Sequence, residues 1–205
     1  FMCFFLGNDF VQHTPSINIR YNGLEDLLDV YKKLQIQYKG AFFLVDINSD
    51  DLIKKSFLLE YINELSKNED NRILHILKIR DKQENKFKHI YNKSKNKEEV
   101  EVHKPIIDRD NEKAIFKDIK YWKINYYMYN LFHSLYNPSF DTLLEDGTNN
   151  LCRLYLESIY WTLHYYIKGC TSFTWHNPYN FAPSLVDIYQ YYSKNSITIQ
   201  KNDYK

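Results

Sequence analysis

The sequence predicts a mainly α-helical domain with one short strand at its N-terminal end, and three observations carry that reading. Apolar residues recur at helical three- and four-residue spacing in four separate stretches. One short continuous apolar run, Phe1 to Leu6, reads as a buried strand and closes on the polar turn Gly7-Asn8-Asp9. With 44% hydrophobic and 17% aromatic residues in a chain of 205, there is enough apolar surface for one sizeable core, and wholesale disorder is excluded.

The first helix follows Pro15-Ser16. Leu24, Leu27, Leu28, Tyr31 and Leu34 form its apolar stripe, with Glu25, Asp26 and Asp29 early and Lys32 and Lys33 late, as the helix dipole favours. A second helix is expected to start from a cap at Ser49 or Asp50. It carries Ile53, Phe57, Tyr61, Ile62 and Leu65, and ends near Lys67-Asn68. From about Arg80 to Asn111 the chain is rich in Lys, Glu, Asn and Asp and is interrupted by Pro105, so a charged linker or solvated helix is expected there. A third helix carries Ile115, Phe116, Ile119, Trp122, Tyr126, Tyr129, Leu131 and Phe132 and stops at Asn137-Pro138. A fourth runs from about Asn150 through Leu151, Leu154, Tyr155, Ile159, Leu163 and Tyr166 to Gly169, which stands where a left-handed cap residue is wanted. The stretch Phe173 to Pro183, aromatic and holding two prolines, reads as a rigid packed loop. No internal repeat is visible.

Composition narrows the function classes. Lys plus Arg number 27 against 26 Asp plus Glu, a formal charge of +1, which gives no general electrostatic reason for binding nucleic acid or an anionic membrane. The Lys-rich tract from Lys86 to Lys97 is offset by Glu98, Glu99 and Glu101. No apolar run approaches the roughly 18 residues of a membrane helix, so no membrane partner is expected. Three widely spaced cysteines, Cys3, Cys152 and Cys170, fit neither a disulfide framework nor a metal half-site, which points to a reducing compartment. Opening at Phe1 inside an apolar run, the chain is expected to be a piece of a longer protein. Its 19 tyrosines reflect the Asn, Lys, Ile and Tyr bias of an AT-rich genome rather than a function.

Gly7-Asn8-Asp9 is the one local motif with metal chemistry in view: it offers a carboxylate at the end of an apolar segment, with a glycine that permits close backbone approach. By itself it is weak, since such an Asp more often caps a turn, and a two-metal nuclease site needs several carboxylates around ions about 4 Å apart.

The wider run Phe5-Leu6-Gly7-Asn8-Asp9-Phe10, then His13, Pro15-Ser16, Ile19-Arg20, Gly23, Leu27-Leu28 and Tyr31-Lys32-Lys33, resembles the Xrn family of 5′→3′ exoribonucleases, whose phrase reads roughly LGNDFLPHLPSL. Val11, Gln12 and Thr14 depart from it. A second block, Tyr155-Leu156-Glu157-Ser158-Ile159-Tyr160-Trp161-Thr162-Leu163-His164-Tyr165-Tyr166, then Gly169, Ser172, Trp175, Pro178-Tyr179, Ala182-Pro183 and Asp187, resembles another phrase of the same family in the same order. Ser158-Ile159, Phe173 and His176 to Phe181 depart from it.

The resemblance implies an Xrn-type helical domain, with 1–22 the end of the nuclease core, 23–79 a first helical part, 80–111 a charged linker or solvated helix, and 112–205 a second helical part with the aromatic loop. It implies hydrolysis of single-stranded RNA bearing a 5′ monophosphate, one nucleotide at a time. Mg²⁺ would be held by acidic residues of which Asp9 matches the last. The remaining acids and the 5′-phosphate pocket would lie in a nuclease core upstream of Phe1, so the chain alone is expected to be inactive. Trp175 stands at the family position of a Trp near the RNA path, where a ring face could stack a base; core packing explains it equally well. His13 and Arg20 are candidate RNA contacts, each with a plain structural alternative. Trp161 and Trp122 fall on helix stripes and are assigned to core. The implied compartment is cytoplasmic or nuclear. The competing readings are a flap-endonuclease-like nuclease, and a helical scaffold or RNA-binding module that has lost the family's acids.

Overall fold

The computed structural model describes residues 1–93, 119–134 and 136–197. They form six α-helices and three short 3-10 turns. The helices are α1 (Gly23–Gln37), α2 (Lys55–Ser66), α3 (Glu69–Lys93), α4 (Ile119–Phe132), α5 (Asp141–Lys168) and α6 (Leu185–Lys194). The chain divides into one unit of Phe1–Glu69 with Asn137–Lys205 and a second of Asp70–Tyr136.

The strand expected at Phe1 to Leu6 is not formed: Met2–Leu6 is a 3-10 turn closed by Phe4 N–H to the Phe1 carbonyl (2.9 Å) and Gly7 N–H to the Phe4 carbonyl (3.0 Å). No strand lies beside it among the described residues, and an unpaired extended segment would leave its buried amides without acceptors. Phe4 and Phe5 are nonetheless buried, so the run serves the core through a different backbone path.

Helix α1 buries Leu27 and Leu34 of the predicted stripe and half-buries Leu28 and Tyr31, while Leu24, its first member, is exposed. Gly23 begins the helix because a Cβ there would sit 2.7 Å from the Asn18 backbone nitrogen and oxygen. Helix α2 starts at Lys55 rather than at a cap on Ser49 or Asp50. Residues 45–53 instead close a turn through the Val45–Ile53 bridge, Asp46 N–H to Leu52 O (2.8 Å) and Lys54 N–H to Leu44 O (3.0 Å), and Leu52 at φ 56° interrupts any helix. Two helices lay outside the reading from periodicity, α6 entirely and α3 over its first turns.

In the second unit Ile73 and Leu77 of α3 pack with Trp122 of α4. Helix α4 ends at Phe132, with His133 at φ 51°, ahead of the expected stop at Asn137-Pro138. Ile115, Phe116 and the charged tract beyond Lys93 lie outside the described residues; its first part, through Lys93, continues α3.

Helix α5 begins at Asp141, not Asn150. Asn137 Oδ1 accepts from Ser139 N–H (3.1 Å), and the resulting turn Pro138–Phe140 leads straight into the helix. Its end at Gly169 has φ 93° and ψ 178°, a glycine conformation but not the left-handed helical cap that was expected.

The core of the first unit joins Phe5, Leu27 and Leu34, Tyr61 and Leu65, Tyr155, Leu156 and Ile159, and Ile188 and Tyr192. Glu69 is buried within it. It accepts Ser16 Oγ–H (3.1 Å), Leu185 N–H (2.7 Å) and Val186 N–H (3.1 Å). Two of these donors are amides at the start of α6, where a negative charge is favoured by the helix dipole. Ser184 adds its own cap, accepting Asp187 N–H at 3.2 Å. Replacing Glu69 by Ala orphans buried donors and is expected to lower stability by about 3 kcal/mol, read from the denaturation midpoint.

Between α1 and α2, Glu64 pairs with Lys33 and, at 2.5 Å, with Lys67. Hydrogen bonds from Lys33 and then Lys67 hold its carboxyl below the ordinary value of 4.5. A depressed carboxylate contributes stability above its unfolded value, lost as pH falls through the folded one. Acid unfolding is therefore expected to show a loss beginning near pH 4.5, as in the reference value, that Glu64→Gln removes.

Candidate functional site

Asp9 sits on an exposed loop that Asn8 organises. Asn8 Oδ1 accepts the amides of Phe10 and Val11, both at 2.8 Å, while Asn8 N–H donates to the Val11 carbonyl at 2.8 Å. Such an Asx turn folds the chain back on itself and leaves the residue at its apex facing outward. Gly7 makes room for the return: its φ is 88°, and a Cβ there would stand 3.0 Å from the His13 nitrogen. Val11, fully buried, anchors the far side. The Asp9 carboxylate is exposed and makes no hydrogen bond or ion pair among the described residues.

One residue further, Phe10 rests on α5, its ring 5.3 Å from Trp161 and 5.3 Å from Tyr165. Those two rings stack on each other at 5.4 Å with planes 4° apart. Trp161 also stacks on Trp175 of the aromatic loop, at 6.0 Å and 25°. A row of rings thus runs from the Asp9 loop, across α5, to Trp175.

Each indole is held by its N–H. Trp161 Nε1 donates to the Ser172 carbonyl (3.1 Å), and Trp175 Nε1 to Glu157 Oε2 (3.4 Å). Glu157 also accepts from Arg153 at 2.6 Å, a full turn back on α5. Ser172 Oγ accepts the Trp175 amide (3.1 Å) within the loop segment. Asn177 Nδ2 donates to Ser158 Oγ (3.0 Å) and Asn150 Nδ2 to the Tyr179 hydroxyl (3.1 Å), further ties between the loop and α5. Trp161 is buried while Trp175 is half-buried, leaving part of the second ring open to solvent.

His13 and Arg20 are exposed. The His13 ring donates from Nδ1 to the Thr14 carbonyl (3.0 Å), because a carbonyl can only accept. Neutral His13 therefore presents Nε2 as an acceptor, and only the doubly protonated ring could donate to a phosphate. Arg20 lies in the 3-10 turn Ile19–Tyr21; its amide donates to Asn18 Oδ1 (2.9 Å), and its guanidinium makes no ion pair among the described residues. No described contact joins Arg20 to Asp9 or Trp175.

A hard carboxylate oxygen such as that of Asp9 suits Mg²⁺. No group of three or more His, Cys, Asp or Glu able to hold a metal occurs among the described residues, so the fit extends to one ligand. No helix among them is long and apolar enough to cross a membrane. Phe10, Glu157 and Trp161 enter the sequence reading as family-motif residues, and Trp161 also as core, but none of them as a site residue. Helical periodicity marks Trp161 as core and cannot say that its two faces carry different partners.

The family model described as Xrn1 helical domain matches residues 1–132 and 119–202. Among curated relatives, the chain is 24% identical to a 5′-3′ exoribonuclease 2 homolog of Drosophila melanogaster over 92% of its own length and 24% of the relative's. It is 24% identical to human 5′-3′ exoribonuclease 1 over 92% of the chain and 12% of that protein. Saccharomyces cerevisiae 5′-3′ exoribonuclease 1 is 33% identical over 45% of the chain and 5% of that protein. The chain thus spans at most about a quarter of the length of these three relatives.

The Asx turn makes a direct prediction. Asn8→Ala removes the acceptor of two amides and should speed hydrogen exchange at Phe10 and Val11 by roughly tenfold, the equivalent of about one hydrogen bond.

Proposed function

From the premise that this chain belongs to the Xrn1 helical domain family, we propose that it is the helical domain and last metal-ligand loop of a longer 5′→3′ exoribonuclease. The proposed substrate is single-stranded RNA with a 5′ monophosphate, degraded processively by Mg²⁺-dependent hydrolysis in RNA decay or processing, in the cytoplasm or nucleus. The observation that carries the reading is the outward-facing Asp9 carboxylate on a loop whose next residue touches the ring row ending in Trp175.

In this proposal 1–22 completes the nuclease core, 23–79 and 112–205 are helical parts, and 80–111, whose first residues through Lys93 continue α3, is a charged linker or solvated helix between them. The other acidic ligands and the pocket for the 5′ phosphate belong to the nuclease core that precedes Phe1. Asp9 would be one ligand of the cation, and its negative charge is what an isosteric Asn lacks. When bound, Mg²⁺ activates the attacking water and neutralises charge developing on the phosphodiester.

Trp175 offers its open ring face to a base of the incoming strand, a contact worth roughly 1 to 3 kcal/mol. Glu157 holds that ring through the indole N–H, which fixes the plane a base would meet. Arg20 contacts the RNA backbone. His13, with Nδ1 committed to Thr14, would meet RNA through Nε2. With one ligand and a formal charge of +1, the chain by itself binds RNA weakly and is inactive.

The test is degradation of single-stranded RNA with 5′ monophosphate or 5′ triphosphate ends by the native-length protein and its Asp9→Asn form, with and without Mg²⁺. Stepwise, monophosphate-selective loss that requires Mg²⁺ and falls by at least roughly a hundredfold in Asp9→Asn is expected. Degradation by neither form would make the protein a helical scaffold, and preference for a DNA flap would make it a different nuclease.

A further inference from the structure

The ring row does more than join two neighbourhoods: it gives the backbone beside Asp9 a fixed seat. Three features of the loop bear on this. The Asx turn fixes the peptide planes of residues 8 to 11 but does not fix the loop against the rest of the protein. Val11 inserts into the core on one side. On the other, the described side-chain contacts of Phe10 are its rings against Trp161 and Tyr165 of α5. Trp161 is itself immobilised by burial, by its bond to the Ser172 carbonyl and by stacking on both Tyr165 and Trp175. Asp9 is therefore followed directly by two anchored residues, Phe10 on a rigid aromatic face and Val11 in the core.

We propose that Phe10 is a positioning residue for Asp9: its ring, clamped on Trp161 and Tyr165, sets where the Asp9 carboxylate meets the metal. This deepens the functional reading above and rests on it. The clamp is geometric. Phe10 and Asp9 are consecutive, so the ring clamp that restrains the Phe10 backbone also restrains the Asp9 Cα, and displacement of a ligand by about 1 Å is enough to cost a metal-dependent step on the order of a hundredfold. A ring so placed could equally serve as one more surface for an RNA base, since Phe10 is 38% exposed. The two roles separate kinetically: positioning of a ligand acts on turnover and on metal affinity, whereas base stacking acts on KM for RNA.

The experiment uses the native-length protein with Phe10→Ala, Phe10→Tyr and, as a control, Phe43→Ala, which removes a comparably exposed ring packed on Phe57. For each, kcat, KM for 5′-monophosphorylated RNA and the Mg²⁺ concentration giving half-maximal rate are measured, together with the Kd for Mn²⁺ by calorimetry without RNA. Phe10→Ala should lower kcat by roughly 10- to 100-fold and raise both metal constants at least about threefold, with KM little changed. Phe10→Tyr, which keeps the ring, should restore kcat and both metal constants, and Phe43→Ala should match the wild type. A rise in KM alone would overturn the proposal in favour of base stacking, and unchanged constants in Phe10→Ala would overturn it outright. If the wild-type protein does not degrade RNA, the functional reading fails. Calorimetry then decides the placement of Asp9 separately, and an equal Mn²⁺ Kd in wild type and Phe10→Ala would overturn that as well.

Discussion

The first unit depends on a negative charge buried where three parts of the chain meet. Glu69 is the first residue of α3, yet its carboxylate accepts from Ser16, just beyond the Asp9 loop, and from the opening amides of α6. A buried carboxylate is costly unless every lone pair finds a donor. Here the requirement works as a constraint: the N-terminal segment, the start of α3 and the start of α6 must arrive together for the charge to be tolerated. Apolar packing of Leu27, Tyr61, Ile159 and Ile188 supplies most of the driving force, but it is non-directional. The Glu69 bonds add direction.

Above that frame the molecule uses aromatic rings as its joinery. Tyr31, Tyr38, Phe42, Phe43 and Phe57 form one connected group between α1 and α2, and Phe10, Trp161, Tyr165 and Trp175 form another along α5. The first group explains much of the aromatic content without any chemistry. Tyr61 satisfies its hydroxyl on the Leu27 carbonyl (2.8 Å), and the phenols of Tyr160 and Tyr192 bond to each other inside the core. The second group borders the exposed Asp9 carboxylate, while the first meets the Glu60 carboxylate through the Tyr38 hydroxyl.

How much of this was legible in the sequence depended on the length of the pattern. Helix α1 could be read because its stripe keeps helical spacing from Leu24 to Leu34 and acidic residues, Glu25 and Asp26, stand in its first turn. The family likeness was carried by residues whose spacing is rigid: Gly7-Asn8-Asp9 on one side, Glu157, Trp161 and Trp175 on the other. The strand at Phe1 to Leu6 was misread because a short apolar run has no period, and a 3-10 turn buries Phe4 and Phe5 as well as a strand would. Helix α6 was missed because its ten residues follow a proline-containing loop, and because its start is set by Glu69, 116 positions away from Leu185. The same distance hid the site. Asp9 and Trp175 could be named separately, but nothing in linear order says that Phe10 and Trp175 lean on the same indole.

The way the first unit is assembled from two distant pieces of chain has a consequence for synthesis. Residues 70–136 interrupt it, so Phe5, Leu27 and Tyr61 leave the ribosome long before Tyr155, Ile159 and Tyr192, with which they share a core. Closing so long a connection is entropically expensive, and the contacts that reward it exist only after α5 and α6 have emerged. The N-terminal segment must therefore wait as an apolar, unsealed surface during translation. In a nascent chain that interval is the period of greatest exposure to chaperones and to wrong partners. Slow synthesis through the intervening residues would lengthen it, and the finished fold would carry no trace of the delay.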